Sequence, residues 1–118
     1  MITRRAFKLP LYGVPYEIYV VDTMEEAKSL YPEFGDCFAA MVVYEDDYSK
    51  LRMIIRNDVA SLAVTAHESV HLANKICLFL GIKADADNDE PLAYMVEHIF
   101  GTAIKVQELH KINRYGEY

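Results

Sequence analysis

The chain has no tryptophan, only two cysteines, five glycines and four prolines, and no apolar run approaching the length of a membrane span. Each shortage excludes something. Cys37 and Cys77, both in apolar surroundings, form neither a disulfide framework nor a Cys-x-x-Cys metal pair. They read as small buried hydrophobes in a reducing compartment. The run Ile76 to Leu80 is far below the ~20 residues that cross a bilayer. Met1 to Phe7, followed by Lys8 and Pro10, lacks the apolar segment of a secretory signal. A soluble, cytoplasmic protein with no membrane partner is expected.

Basic residues are also scarce. Twelve Lys and Arg stand against eighteen Asp and Glu, a net charge of −6, which argues against a nucleic-acid-binding surface and permits a basic protein partner. No repeat, low-complexity tract or linker divides the chain, so residues 1–118 read as a single domain. What is present suits a globular core: 53% hydrophobic residues, 25% charged, and nine Tyr with five Phe to supply amphipathic rings.

Taken in order, Arg4 to Leu9 alternates weakly as a short strand ending at Pro10, and Tyr12-Gly13-Val14-Pro15 is a turn. Tyr16 to Val21, rich in β-branched and aromatic residues, is a stronger strand. Thr23-x-x-Glu26 is a capping box that opens a helix to about Leu30, before Pro32 and Gly35. Cys37 to Tyr44 is a nearly continuous apolar run, expected to be a strand buried on both faces. Asp46 to Ser49 makes a turn, and Leu51 to Arg56 returns as the partner of a hairpin, expected at the sheet edge because it carries charge.

Asn57 or Asp58 is expected to cap a long helix ending at Gly81. On it Val59, Leu62, Ala63, Ala66, Val70, Ala73, Cys77 and Leu80 recur at intervals of three and four, and that stripe is expected to face the core. The aspartates of Asp85 to Asp89 lack the spacing and glycine of a calcium loop. They read as the start of a second helix, from about Asp89 to His110, with the tail from Ile112 frayed.

The first long helix carries His67-Glu68-x-x-His71. Residues four apart lie about 6 Å apart along a helix on one face, so both imidazoles can address one metal ion. Glu68, next to the first ligand, is placed to reach a water on that metal rather than the metal itself. Two neutral nitrogens, an open coordination position and an adjacent base are what a zinc hydrolase requires. With the apolar stripe as assigned, both histidines would stand at the boundary between core and cleft. Two ordinary boundary histidines are the alternative.

His67-Glu68-x-x-His71 followed after eighteen residues by Glu90 resembles the gluzincin pattern of thermolysin-like and aminopeptidase-type zinc peptidases. The surroundings of Glu90, Asn88-Asp89-Glu90-Pro91-Leu92-Ala93, are similar to that clan's third-ligand segment, offset by one residue. Asp87 to Tyr94 also resembles an element of small uncharacterised phage-encoded proteins that carry a His-Glu-x-x-His helix. The likeness covers Ala66 to about Glu97. It implies one Zn²⁺ held by His67, His71 and Glu90, with Glu68 as general base. Glu97 is the alternative third ligand, or an acceptor orienting an imidazole.

Where thermolysin-like enzymes carry an Asp four residues beyond the third ligand, this chain has Tyr94. Tyr94, His98 and His110 are candidates to stabilise an oxyanion; otherwise His98 reads as a cleft-edge residue and His110 as a cation at a helix end. The expected fold is α+β and zincin-like. A small, mostly antiparallel sheet of three or four strands packs on the His-Glu-x-x-His helix and a second, C-terminal helix. The expected function is a zinc metallopeptidase acting on a peptide or protein. The alternative is a zinc-binding protein without hydrolysis, an acidic effector that captures a host protein in the host cytoplasm if phage-encoded.

Overall fold

The computed structural model of the chain describes residues 1–35, 38–45 and 50–115. Strand β1 (Ile2–Lys8) pairs antiparallel with β2 (Pro15–Val21), Ile2 opposite Val21 and Lys8 opposite Pro15. The reversal needs a residue with positive φ, and Gly13 supplies it at φ 69° without steric cost. Helix α1 (Met24–Leu30) begins at Thr23, whose side chain accepts from the Glu26 N–H while Glu26 accepts from the Thr23 N–H.

Strands β3 (Ala40–Val43) and β4 (Arg52–Arg56) form the expected antiparallel hairpin. Its turn, 46–49, and Cys37 lie outside the described residues. The sheet order is β1-β2-β4-β3, with β2 and β4 parallel. The fold is therefore α+β, a four-stranded mixed sheet with two of its three pairings antiparallel.

One expectation about this hairpin is reversed. β4 is interior, and its Met53, Ile54 and Ile55 are fully buried on both faces of the sheet. β3 is the edge strand. Charge at the ends of β4 suggested an edge, but Arg52 donates to the Leu30 carbonyl at 3.3 Å and Arg56 pairs with Asp58 at 2.7 Å. Both guanidinium groups find partners beyond the strand ends, so they do not force the strand outward.

Helices α2 (Leu62–Leu80) and α3 (Glu90–Tyr115) cover one face of the sheet. Ile18, Val20, Met53 and Ile55 meet Leu72, Ile76, Met95 and Ile99 there in the main core. On the other face Val21, Val43 and Ile54 pack with Ala27 of α1 and with Phe34. No helix of the described residues is long and apolar enough to cross a membrane.

α2 starts at Ser61, whose hydroxyl accepts from the Val64 N–H, and not at Asn57 or Asp58. Residues 57–60 form a turn closed by the Ala60 N–H on the Arg56 carbonyl at 2.9 Å. Gly81, at φ 72°, ends the helix as expected. α3 continues past His110 to Tyr115, so Ile112 to Tyr115 are helical and not frayed as expected; residues 116–118 lie outside the described residues.

The buried face of α2 is Thr65, Ser69, Leu72, Ala73, Ile76 and Cys77. Of the apolar stripe read from the sequence, Ala73 and Cys77 are buried, but Val59, Leu62 and Val70 are 53%, 59% and 41% exposed. The helix is turned to bury Leu72 and Ile76, and two hydroxyl residues point inward with them. Thr65 Oγ1 donates to Gln107 Oε1 of α3 at 3.1 Å, and Ser69 Oγ donates to the Thr65 carbonyl at 2.7 Å. A buried hydroxyl with such partners carries little penalty, so the polar label on these residues misled the periodicity.

His110 is fully buried and is not a helix-end cation on the surface. Its Nδ1 lies 2.8 Å from Thr3 Oγ1 of β1, and its Nε2 lies 2.8 Å from Asp22 Oδ1 after β2. Arg114 donates to the same Asp22 oxygen at 2.6 Å. Burial pushes the Asp22 carboxyl up, but His110, the N-terminal ammonium and Arg114 outweigh it and hold the group below its ordinary value. Its stabilising effect is complete above the unfolded-chain value of about 4 and is lost as pH falls through the lower folded value. Asp22→Ala should cost about 1–3 kcal/mol at pH 7, because it strands a buried imidazole without its partner. Urea melts of both proteins should converge as pH drops below the carboxylate range; a pH-independent gap would contradict this role.

Candidate metal centre and cleft

The rotation of α2 decides how its motif is displayed. His67 and His71 lie on the exposed side, the His67 side chain 69% accessible, while Glu68 between them is only 13% accessible. The boundary position expected for the imidazoles belongs instead to the carboxylate. The two Nε2 atoms are 3.2 Å apart, with ring planes inclined at 71°. Glu68 Oε2 lies 3.7 Å from His67 Nε2, and one donor atom from each of the three residues falls within 4.8 Å of the others. Among the described residues, this is the group of His, Cys, Asp and Glu that can hold a metal ion.

The pair fits zinc. Two imidazole nitrogens at the usual metal distance of about 2.0–2.1 Å, and 3.2 Å from one another, subtend roughly 100°, close to tetrahedral. Glu68 is turned toward the sheet, where the backbone N–H of Val42 donates to it. Burial pushes its carboxyl above the ordinary value, against the opposing pull of His71, His67 and that N–H. A carboxylate in such a setting holds a proton more readily than one in water.

The motif opens onto a cleft of about 640 Å³ between α2 and the edge strand. Phe38, Ala39, Ala40, Met41 and Val42 form one wall, and Ala63, Val64, His67, Glu68, His71 and Lys75 the other. Two contacts orient the walls: Val42 meets Glu68, and the Tyr44 ring lies under the Lys75 ammonium at 4.7 Å. Strand and helix therefore run in the same direction. Phe38 and Ala39 lie toward the Ala63 and Val64 end.

The other residues singled out from the sequence do not join this cluster. Thr65 opposite Gln107, and the Cys77 thiol 3.7 Å from the Met95 sulfur, set an antiparallel register for α2 and α3. In that register Glu90 lies past the Gly81 end of α2, roughly 16 Å from His71 along the axis at 1.5 Å per residue. α3 also packs on the buried face of α2, opposite the imidazoles. Glu90 is exposed in the first turn of α3.

Tyr94 and Glu97 line a separate hollow of about 240 Å³ with His98, Gly101, Thr102 and Lys105. The His98 ring sits edge-on to Tyr16, its Nε2 buried without a hydrogen-bond partner among the described residues. His110 belongs to the buried clamp. The length of α2 is the reason for the separation: it continues nine residues beyond His71, so the return helix meets the motif near Gly101 and Lys105 instead of near Glu90.

Two contributors were missed from the sequence. Val42 acts through its backbone, which leaves no trace in residue type. Lys75 was legible, since it follows His71 by four and so extends the same row of the helix.

Comparison with family models, with curated proteins and with solved structures finds no match to this chain. The site stands on its own geometry.

A zinc titration followed by calorimetry separates the ligands. His67→Ala and His71→Ala should each abolish stoichiometric binding. Glu90→Ala and Glu97→Ala should leave the affinity within about twofold of the parent, well short of the 10–100-fold that loss of a supporting partner brings. A loss of affinity in Glu90→Ala as large as in His71→Ala would contradict the register described.

Proposed function

We propose that this protein is a zinc-dependent hydrolase, a peptidase acting on an extended peptide laid in the cleft. The observation that carries this is the His67–Glu68–His71 cluster facing a cleft whose other wall is the open edge of the sheet. His67 and His71 would hold the zinc, which when bound would supply Lewis acidity and acidify a coordinated water.

Glu68 is the residue that moves the proton. It lies beside both imidazoles, is shielded from bulk water, and has a raised pKa, which suits a group that takes a proton and passes it to a leaving nitrogen. The Val42 N–H beside it favours its charged form.

The edge strand supports the choice of an extended peptide. Arg56 N–H bonds the Ala39 carbonyl at 2.9 Å, so by the alternation of an antiparallel ladder Ala40 and Val42 turn their backbone groups away from β4. The Val42 N–H serves Glu68. The Ala40 groups and the Val42 carbonyl remain to pair with a peptide strand. The apolar walls would take its side chains.

One observation favours a second reading, a zinc-dependent binding protein without hydrolysis: among the described residues no carboxylate besides Glu68 stands beside the imidazole pair. If Glu68 itself ligates the metal, no base remains. The two readings diverge in Glu68→Gln. For a peptidase, this variant should keep one zinc per chain and lose at least about 10²-fold in cleavage of an unfolded protein substrate. Chelation should stop the parent enzyme and zinc should restore it. For a binder, neither protein cleaves, and Glu68→Gln weakens zinc itself.

A further inference from the structure

Lys75 extends the row of His67 and His71 by one turn and lines the same cleft. Its ammonium has no acidic partner among the described residues, although the chain carries six more acidic than basic groups. Of the five described arginines, Arg4, Arg56 and Arg114 pair with carboxylates, and Arg5 and Arg52 donate to backbone carbonyls. Lys75 instead rests on the face of Tyr44, 4.7 Å from the ring centroid. A cation–π contact positions the ammonium without neutralising it. The cleft is thus apolar at the Ala63 and Val64 end, carries its imidazoles and Glu68 in the middle, and ends in a positive charge that no acidic group among the described residues pairs.

We propose that Lys75 is a carboxylate-recognition residue, and that the cleft takes peptides bearing a carboxylate one or two residues from the group held at the imidazoles. This rests on reading the His pair as a metal centre. One helical turn separates Lys75 from His71, about 5–6 Å along the axis. An extended peptide advances about 3.3 Å per residue, so a carboxylate one or two residues along meets the ammonium. A single lysine matches a monoanion. A phosphate dianion would need further donors, and the Glu68 carboxylate in the same cleft would repel it. When the carboxylate is the chain terminus, the peptide is trimmed from its C-terminal end.

The test uses three dipeptides that carry a hydroxamate on an N-terminal acyl cap and share the same apolar first residue. One ends in an apolar residue with a free carboxylate, one in the same residue as the carboxamide, and one in a glutamate carboxamide. Binding to the zinc-loaded chain is measured by calorimetry. A carboxylate probe should bind about tenfold tighter than the plain amide, as a charge-assisted contact at a half-exposed site does, and the margin should shrink at high salt. Preference for the first probe assigns the carboxylate to a chain terminus, and preference for the third to an acidic side chain.

Lys75→Met should abolish the preference while leaving zinc content and the affinity for the plain amide unchanged, and Lys75→Arg should restore it. If all three probes bind the parent equally, the role of Lys75 is overturned and the metal centre stands. If the chain takes no zinc, or no hydroxamate binds the zinc-loaded chain, the metal reading falls and the subsite with it. If Lys75→Met keeps the preference, the carboxylate is read elsewhere and the assignment is wrong.

Discussion

Leu72, Ala73 and Ile76 lie fully buried along α2 together with Thr65 and Ser69, whose hydroxyls bond Gln107 of α3 and the helix backbone, and the burial of this face fixes the rotation of the helix. Everything about the candidate site follows from that angle. With Thr65, Ser69, Leu72 and Ile76 inward, His67 and His71 must lie on the far side. Glu68 is left in the flank position facing the sheet edge. Had the apolar stripe through Leu62 and Val70 been buried instead, the carboxylate would have faced elsewhere and the cleft would have had different walls.

The same packing explains why the imidazole pair stands without help from α3. A helix that lies on the buried face of α2 cannot also reach round to the exposed face. The antiparallel register further carries Glu90 past the end of α2. The sheet supplies what the second helix does not: a backbone N–H from Val42 beside Glu68, and the edge of β3 to wall the cleft. The centre is therefore a helix-and-edge-strand site rather than a two-helix site. The cluster draws on three residues of one helical segment and on a strand from an earlier part of the chain.

The buried clamp of Thr3, His110 and Asp22 does a separate job. It ties the start of β1, the end of β2 and the last turns of α3 together through one imidazole with both nitrogens satisfied. Because β2 pairs directly with β4, and β4 with β3, the clamp steadies the sheet whose far edge lines the cleft. A histidine near the end of a helix carries no sign of this in sequence, because its partners lie 88 and 107 residues away.

Local chemistry was legible from residues alone. The capping box at Thr23 and Glu26, the Gly81 stop, the hairpin of β3 and β4, the α+β class and the i, i+4 spacing of His67 and His71 all depend on neighbours within a few positions. Each such pattern carries its own physical cause: a satisfied N–H, a permitted left-handed φ, a helical repeat. Only the tertiary structure decided which strand forms the edge, which face of α2 is buried, and whether Glu90 approaches the imidazoles. Those outcomes turn on long-range pairing, on hydroxyl groups whose burial cost vanishes once a distant Gln107 bonds them, and on the length of a helix relative to its return. Residue type is blind to all three, because hydrogen-bond satisfaction and register are properties of pairs of segments rather than of one.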